Sequence, residues 1–135
     1  MTRETAIKTA AKWWADKLRQ RAPHDNGDNS RSNQLAMILA DMLTTPMSED
    51  QLTRFQKALE EGIDQDLKEH KGYGGTMGCD YGPCNLLSAA AEQAGINLNN
   101  FPYKTHMHIK NTGDDYTVLV SDGYARPFEK VNPCE

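Results

Sequence analysis

Apolar residues recur along the first half of the chain with the spacing of helices. Ile7, Ala10, Ala11, Trp14 and Leu18 fall at i, i+3, i+4, i+7 and i+11, one stripe of an amphipathic helix that Thr2 can cap. Trp13 lies about 100° off that stripe and is expected at the edge of the packed face. This helix should stop near Arg21, because Pro23 and the turn formers His24-Asp25-Asn26-Gly27-Asp28-Asn29 follow. A second helix is predicted from Ser32 or Asn33, carried by Leu35, Ile38, Leu39, Met42 and Leu43 and ended by Thr44-Thr45-Pro46. Ser48-Glu49-Asp50-Gln51 reads as a capping box, with Met47 and Leu52 in the positions of a hydrophobic staple. Leu52, Phe55, Leu59, Ile63 and Leu67 predict the buried stripe of a third helix, and Glu60, Glu61, Asp64, Lys68 and Glu69 its wet face. Gly62 is a weak point in it.

The pattern changes at Lys71. Gly72, Gly74, Gly75 and Gly78 crowd together, and Met77, Cys79 and Tyr81 alternate with Thr76, Gly78 and Asp80 as in a short strand. Pro83 suits the first position of a fourth helix, whose apolar face is Leu86, Leu87, Ala90, Ala91 and Ala94. Gly95 is its expected stop, with Ile96 as the apolar contact beyond. Tyr103, Thr105, Met107 and Ile109 then alternate with Lys104, His106, His108 and Lys110. Asn111-Thr112-Gly113-Asp114 supplies a turn, and Tyr116, Val118 and Val120 form the return strand. The expected fold class is α+β: three to four helices packed on a small antiparallel sheet containing a C-terminal hairpin. One domain spans residues 1–135, helical to about residue 70, with the Gly-rich strand, a helix and the hairpin from about 71.

Composition narrows the partners. The chain has 135 residues, 38% of them apolar; 15 basic against 19 acidic side chains leave a net charge of −4. That balance excludes nucleic-acid binding through bulk positive charge. No apolar run reaches the roughly 18–20 residues of a membrane span, and the first residues lack the apolar core of a signal peptide, so no membrane partner is expected. Three cysteines, an odd number, do not make a disulfide framework; a reducing cytoplasm is the expected location.

The strand alternation places Lys104, His106, His108 and Lys110 on one face. With a turn over 111–114, Thr117 and Leu119 should lie opposite His108 and His106. A pocket for phosphate in an acidic chain needs such a local reversal of sign. The simpler reading is a solvated sheet face. Tyr73, Tyr81, Tyr103, Tyr124 and Arg126 add stacking surface and another cation. The candidate ligand-binding set is therefore Tyr81, Lys104, His106, His108, Tyr124 and Arg126.

Other chemistry fits less well. Cys79-x4-Cys84 with His106-x-His108 has the residue types of a zinc site, but H-x-H departs from the usual H-x3–5-H, so no metal and no cofactor are assigned. Asp25-Asn26-Gly27-Asp28 lacks the ligand series of an EF-hand, and the glycines at 72–78 match no nucleotide-binding loop. Cys84 at a helix start, with His106 as base, would suit a cysteine hydrolase. The Cys-bearing helix, Phe101-Pro102 and the His-bearing strand look somewhat like NlpC-type cysteine peptidases. That family expects Asp-Cys-Ser-Gly where this chain has Gly82-Pro83-Cys84-Asn85.

Lys12-Trp13-Trp14-Ala15-Asp16-Lys17-Leu18, Asp25-Asn26-Gly27-Asp28, Asp80-Tyr81-Gly82-Pro83 before Leu86-Leu87, and Phe101-Pro102-Tyr103-Lys104-Thr105-His106-Met107 occur together. They resemble a group of small, mostly uncharacterised accessory proteins of phages and prophages. The resemblance implies a counter-defence role in the host cytoplasm, without a mechanism. Two readings follow. In one, the protein is a non-catalytic sponge that sequesters a nucleotide immune signal, with Lys104, His106 and Arg126 on phosphate and Tyr81 or Tyr124 on a base. In the other, it inhibits a bacterial defence protein, such as a CRISPR effector, by surface contact, the acids Glu60, Glu61, Asp64 and Glu69 imitating nucleic-acid charge. The Cys84–His106 hydrolase is a third reading, and homo-oligomerisation is left open.

Overall fold

The structure, a computed structural model, describes residues 1–20, 47–70, 75–80, 82–123 and 125–134. The predicted helix from Ser32 to Leu43 and the Asp25–Asp28 turn lie outside the described residues. In chain order the elements are α1 (Arg3–Gln20), α2 (Glu49–Glu69), β1 (Thr76–Cys79), α3 (Asn85–Ala94), a 3-10 turn at Leu98–Asn100, β2 (Thr105–Thr112), β3 (Asp115–Asp122) and β4 (Glu129–Lys130). The class is α+β, with three helices and a four-stranded antiparallel sheet among the described residues. None of these helices is long and apolar enough to cross a membrane.

Local chemistry accounts for the helix ends. The Thr5 N–H donates to Thr2 Oγ1 at 3.2 Å and opens α1. Ile7, Ala10, Ala11, Trp14 and Leu18 are all buried, and Trp13 sits half-buried at the edge of their stripe, edge-on to Trp14 at 5.0 Å. The Ser48 box is complete: Gln51 N–H donates to Ser48 Oγ at 3.1 Å, and Ser48 N–H to Gln51 Oε1 at 3.0 Å. Leu52, Phe55, Leu59 and Ile63 are buried as expected. Leu67 is only half-buried, because the last turn of α2 overhangs the start of β1, where Leu67 covers Gly75. Gly62 has a use that its low propensity hid. A Cβ there would lie 3.0 Å from Leu86 Cδ1, so the glycine lets α3 approach α2.

Helix α3 starts at Asn85 rather than at Pro83. The Cys84 N–H donates to Gly78 O at 2.9 Å and Pro83 bridges to Cys79, which holds both residues extended beside β1 and makes Cys84 the N-cap. At the other end Gly95 adopts φ +70°, the Ile96 N–H donates to Ala91 O at 2.9 Å, and Ile96 is buried.

The sheet order is β1-β2-β3-β4. The hairpin turn is shorter than expected: Thr112 pairs with Asp115, leaving only Gly113 and Asp114 as the loop. Gly113 has φ +64° and Asp114 a negative φ, the signs of a type II′ turn, whose twist matches that of the strands. The register therefore moves by two residues. His108 pairs with Leu119, His106 with Ser121, and Lys110 with Thr117. Strand β4, not anticipated, pairs Leu119 with Lys130 and Val120 with Glu129.

Helix α2 packs against α1 and α3, while α1 lies over β2 and β3, and α3 over β1. They cover one face of the sheet, where Met77, Cys79, Thr105, Met107, Ile109, Val118 and Val120 are buried. The alternate residues look outward. The junction between α2 and the sheet depends on Gly75, at φ +84°, whose N–H donates to Asp66 Oδ2 at 2.7 Å. A Cβ there would come within 2.9 Å of Ile109 Cβ. Gly75→Ala combines a strained φ with a backbone-proximal clash, and is expected to cost about 1–3 kcal/mol in chemical denaturation. A variant as stable as the parent would show that this junction is not tight.

Candidate functional site

Period-2 geometry makes the outer face of the sheet the place where cations gather. On β2 the residues facing away from the helices are His106, His108 and Lys110; His106 and Lys110 are exposed and His108 is half-buried. Their neighbours on β1 are Gly78 and Thr76, and on β3 Ser121, Leu119 and Thr117. Lys130 of β4, paired with Leu119, joins the same face. Four side chains that carry or can take positive charge thus surround uncharged neighbours.

Both ends of the face are closed by ion pairs. Lys104 does not continue the strand alternation, which is a correction to the sequence expectation. Its φ is +55°, its N–H donates to Asp80 O at 3.1 Å, and its ammonium meets Asp80 Oδ1 at 2.6 Å. The chain bends at Lys104 to follow the end of β1, so its charge is compensated locally. At the opposite end the N-terminal ammonium binds Asp115 Oδ1 at 2.5 Å and holds that carboxyl below its ordinary range. Among the described residues neither Lys110 nor Lys130 is in an ion pair.

Two rings lean across β1. His108 Nδ1 and Thr76 Oγ1 share a hydrogen bond of 3.0 Å. The His106 ring lies over Gly78, where a Cβ would sit 2.6 Å from its Cδ2. Neither contact was anticipated, although a glycine inside an alternating strand is a sign of close approach.

Arg126 belongs elsewhere. It lines a cleft of about 340 Å³ at the sheet edge, with Trp13, Val120, Asp122, Pro127, Glu129, Lys130 and Val131. Lys17 closes one side, 2.7 Å from Asp122 Oδ2 and 5.8 Å from the centre of the Trp13 ring. Val120, Asp122 and Glu129 take the helix-facing positions of β3 and β4. Arg126 thus sits at the β4 edge of the sheet rather than on β2 beside the histidines: it lines the cleft together with Lys130, and its carbonyl accepts from Ser121 Oγ at 2.6 Å. Tyr81 and Tyr124 lie outside the described residues; Tyr103 is exposed, beside Lys104.

The cysteines are free thiols. Cys79 is buried on the helix-facing side of β1, opposite the histidines, and burial pushes its thiol up to about 12, with Cys84 adding to the rise. Cys84 caps α3 in extended backbone and forms no hydrogen bond with its side chain at the helix start. Among the described residues, no three His, Cys, Asp or Glu side chains come together as metal ligands. Because the folded state raises the Cys79 pKa, its contribution to stability is complete below the ordinary thiol value of 9.0 and is lost as pH climbs toward 12. A thiol reagent on the folded protein should modify Cys84 and Cys134 first, with Cys79 reacting only after unfolding. Rapid reaction of all three in the native state would contradict its burial.

No family model matches this chain, and no curated protein matches it.

Proposed function

We propose that this protein binds a small nucleotide-type anion on the open face of its sheet and holds it without converting it. The observation that supports this is the grouping of His106, His108, Lys110 and Lys130 around uncharged Thr76, Gly78, Thr117, Leu119 and Ser121. Size favours a nucleotide over a single phosphate. From His106 to Lys110 the strand runs about 13 Å, and from β2 to β4 the sheet spans about 10 Å. Each contact from His⁺ or Lys to a phosphate oxygen is a charge-assisted hydrogen bond. The counter-defence role implied by the phage-protein resemblance points to immune signals as the ligands, met in the host cytoplasm.

The acidic face of α2 is less suited to imitating nucleic acid, because much of its charge is engaged. Asp64 binds Arg3 at 2.5 Å and Lys68 at 3.1 Å, and both hold its carboxyl below the ordinary range. Glu60 is partly buried, and that burial raises its carboxyl.

Calorimetry against cyclic oligonucleotides and ADP-ribose-type molecules tests the reading. Saturable one-to-one binding is expected, with the ligand recovered chemically intact. No binding across the panel, or recovery of a cleaved product, would overturn it.

A further inference from the structure

We infer that His106 and His108 form a two-histidine chelate for a divalent transition metal of the nickel, copper and zinc class, open on its solvent side. The inference is independent of the anion reading, since it needs no phosphate. Residues i and i+2 of a strand share a face, with Cα atoms about 7 Å apart. Here both imidazoles also lean the same way, across β1. Gly78 makes this possible for His106: any side chain at that position would occupy the space of the ring, whose Cδ2 and Nε2 lie 2.6 and 3.4 Å from where a Cβ would stand. Thr76 does it for His108, through the 3.0 Å bond to Nδ1. When Nδ1–H donates to Thr76 Oγ1, Nε2 keeps its lone pair, the usual way an outer partner orients a metal-binding histidine.

The surroundings select the metal. The neighbouring residues on the face, Thr76, Gly78, Thr117, Leu119 and Ser121, bring no carboxylate, so calcium and magnesium have no ligand set. Lys110 and Lys130 repel a dication. Only a metal that forms strong bonds to imidazole nitrogen overcomes that repulsion. The remaining coordination positions fall to water.

Metal and anion make opposite demands on the same rings. Metal binding uses the lone pairs of neutral imidazoles, whereas an anion gains from their protonation. The charged groups in play are Lys110 on β2 and Lys130 on β4. The β1 and β3 residues paired with the two histidines are uncharged. Farther along β3, Asp115 is held by the N-terminal ammonium and lies within electrostatic reach of Lys130, and Asp80 is paired with Lys104 at the other end.

The test is a nickel titration of untagged protein in phosphate-free buffer, read by calorimetry and by broadening of histidine ring signals in NMR spectra. One Ni2+ per chain is expected, with paramagnetic broadening of His106 and His108. His106→Ala and His108→Ala should each weaken binding by about tenfold or more, and Thr76→Val by several-fold with the site retained. Circular dichroism confirms that these surface variants fold. Absence of saturable binding at about 1 mM Ni2+, or unchanged binding in the His106→Ala/His108→Ala double variant, would overturn the inference. Loss of the nucleotide site alone would leave it standing, and the converse holds equally.

Discussion

Phe55→Ala is expected to remove about 3–5 kcal/mol of stability, the range found for deleting a buried aromatic side chain. Phe55 is fully buried on α2, at the point where that helix meets the rest of the core. Its ring meets Phe101 edge-on at 5.8 Å, and Phe101 in turn lies 6.5 Å from the buried Trp14. The substitution therefore opens a cavity beside Phe101, in the part of the core that Phe101 shares with Trp14 of α1. For a domain whose whole stability is of order 5–15 kcal/mol, that is a large fraction. Urea denaturation should show a lower midpoint with an unchanged slope. A loss below about 1 kcal/mol would place Phe55 outside the core.

Lys110→Glu combined with Lys130→Glu should lower nucleotide affinity roughly a hundredfold, equivalent to about 3 kcal/mol. Both side chains are exposed and neither is ion-paired among the described residues, so stability should change by no more than about 0.5 kcal/mol per site. Reversal replaces two attractive partners by two repulsive ones on a face that holds no other unpaired acid among the described residues. Glu61→Lys, on exposed α2 surface, is the matched control and should leave affinity unchanged. Added salt should weaken the parent complex more than the double variant's residual binding. Equal affinity in parent and double variant would remove the cations of this face from the site.

Features set by neighbours in sequence were legible before the structure. The Ser48 box, the Gly95 stop and the buried stripes of α1 and α2 each depend on contacts within one or two helical turns. Features set by distant pairing were not. Asn111-Thr112-Gly113-Asp114 offers turn chemistry at several positions, and only the positive φ of Gly113 against a two-residue loop selects the register. Pro83 had the right residue type for a helix start, yet the Cys84 N–H is taken by Gly78 O across the sheet. Strand β4 is two residues long and exposed, so no alternation announces it, and Lys130 was missed with it. Lys104 was misplaced for a related reason: its backbone turns to meet Asp80, a partner 24 residues away. The cationic face itself was read correctly in His106, His108 and Lys110. Its membership changed, losing Lys104 to an ion pair and gaining Lys130, while Arg126 of the wider candidate set lines the edge cleft.

The most direct test of the binding face is amide shift mapping during titration with the tightest nucleotide of the calorimetric panel. Perturbations should centre on residues 106–110, 117–121 and 130, with the α2 surface around Glu60 and Glu61 unmoved. Shifts confined to α2, or to the cleft around Trp13 and Arg126, would contradict the account.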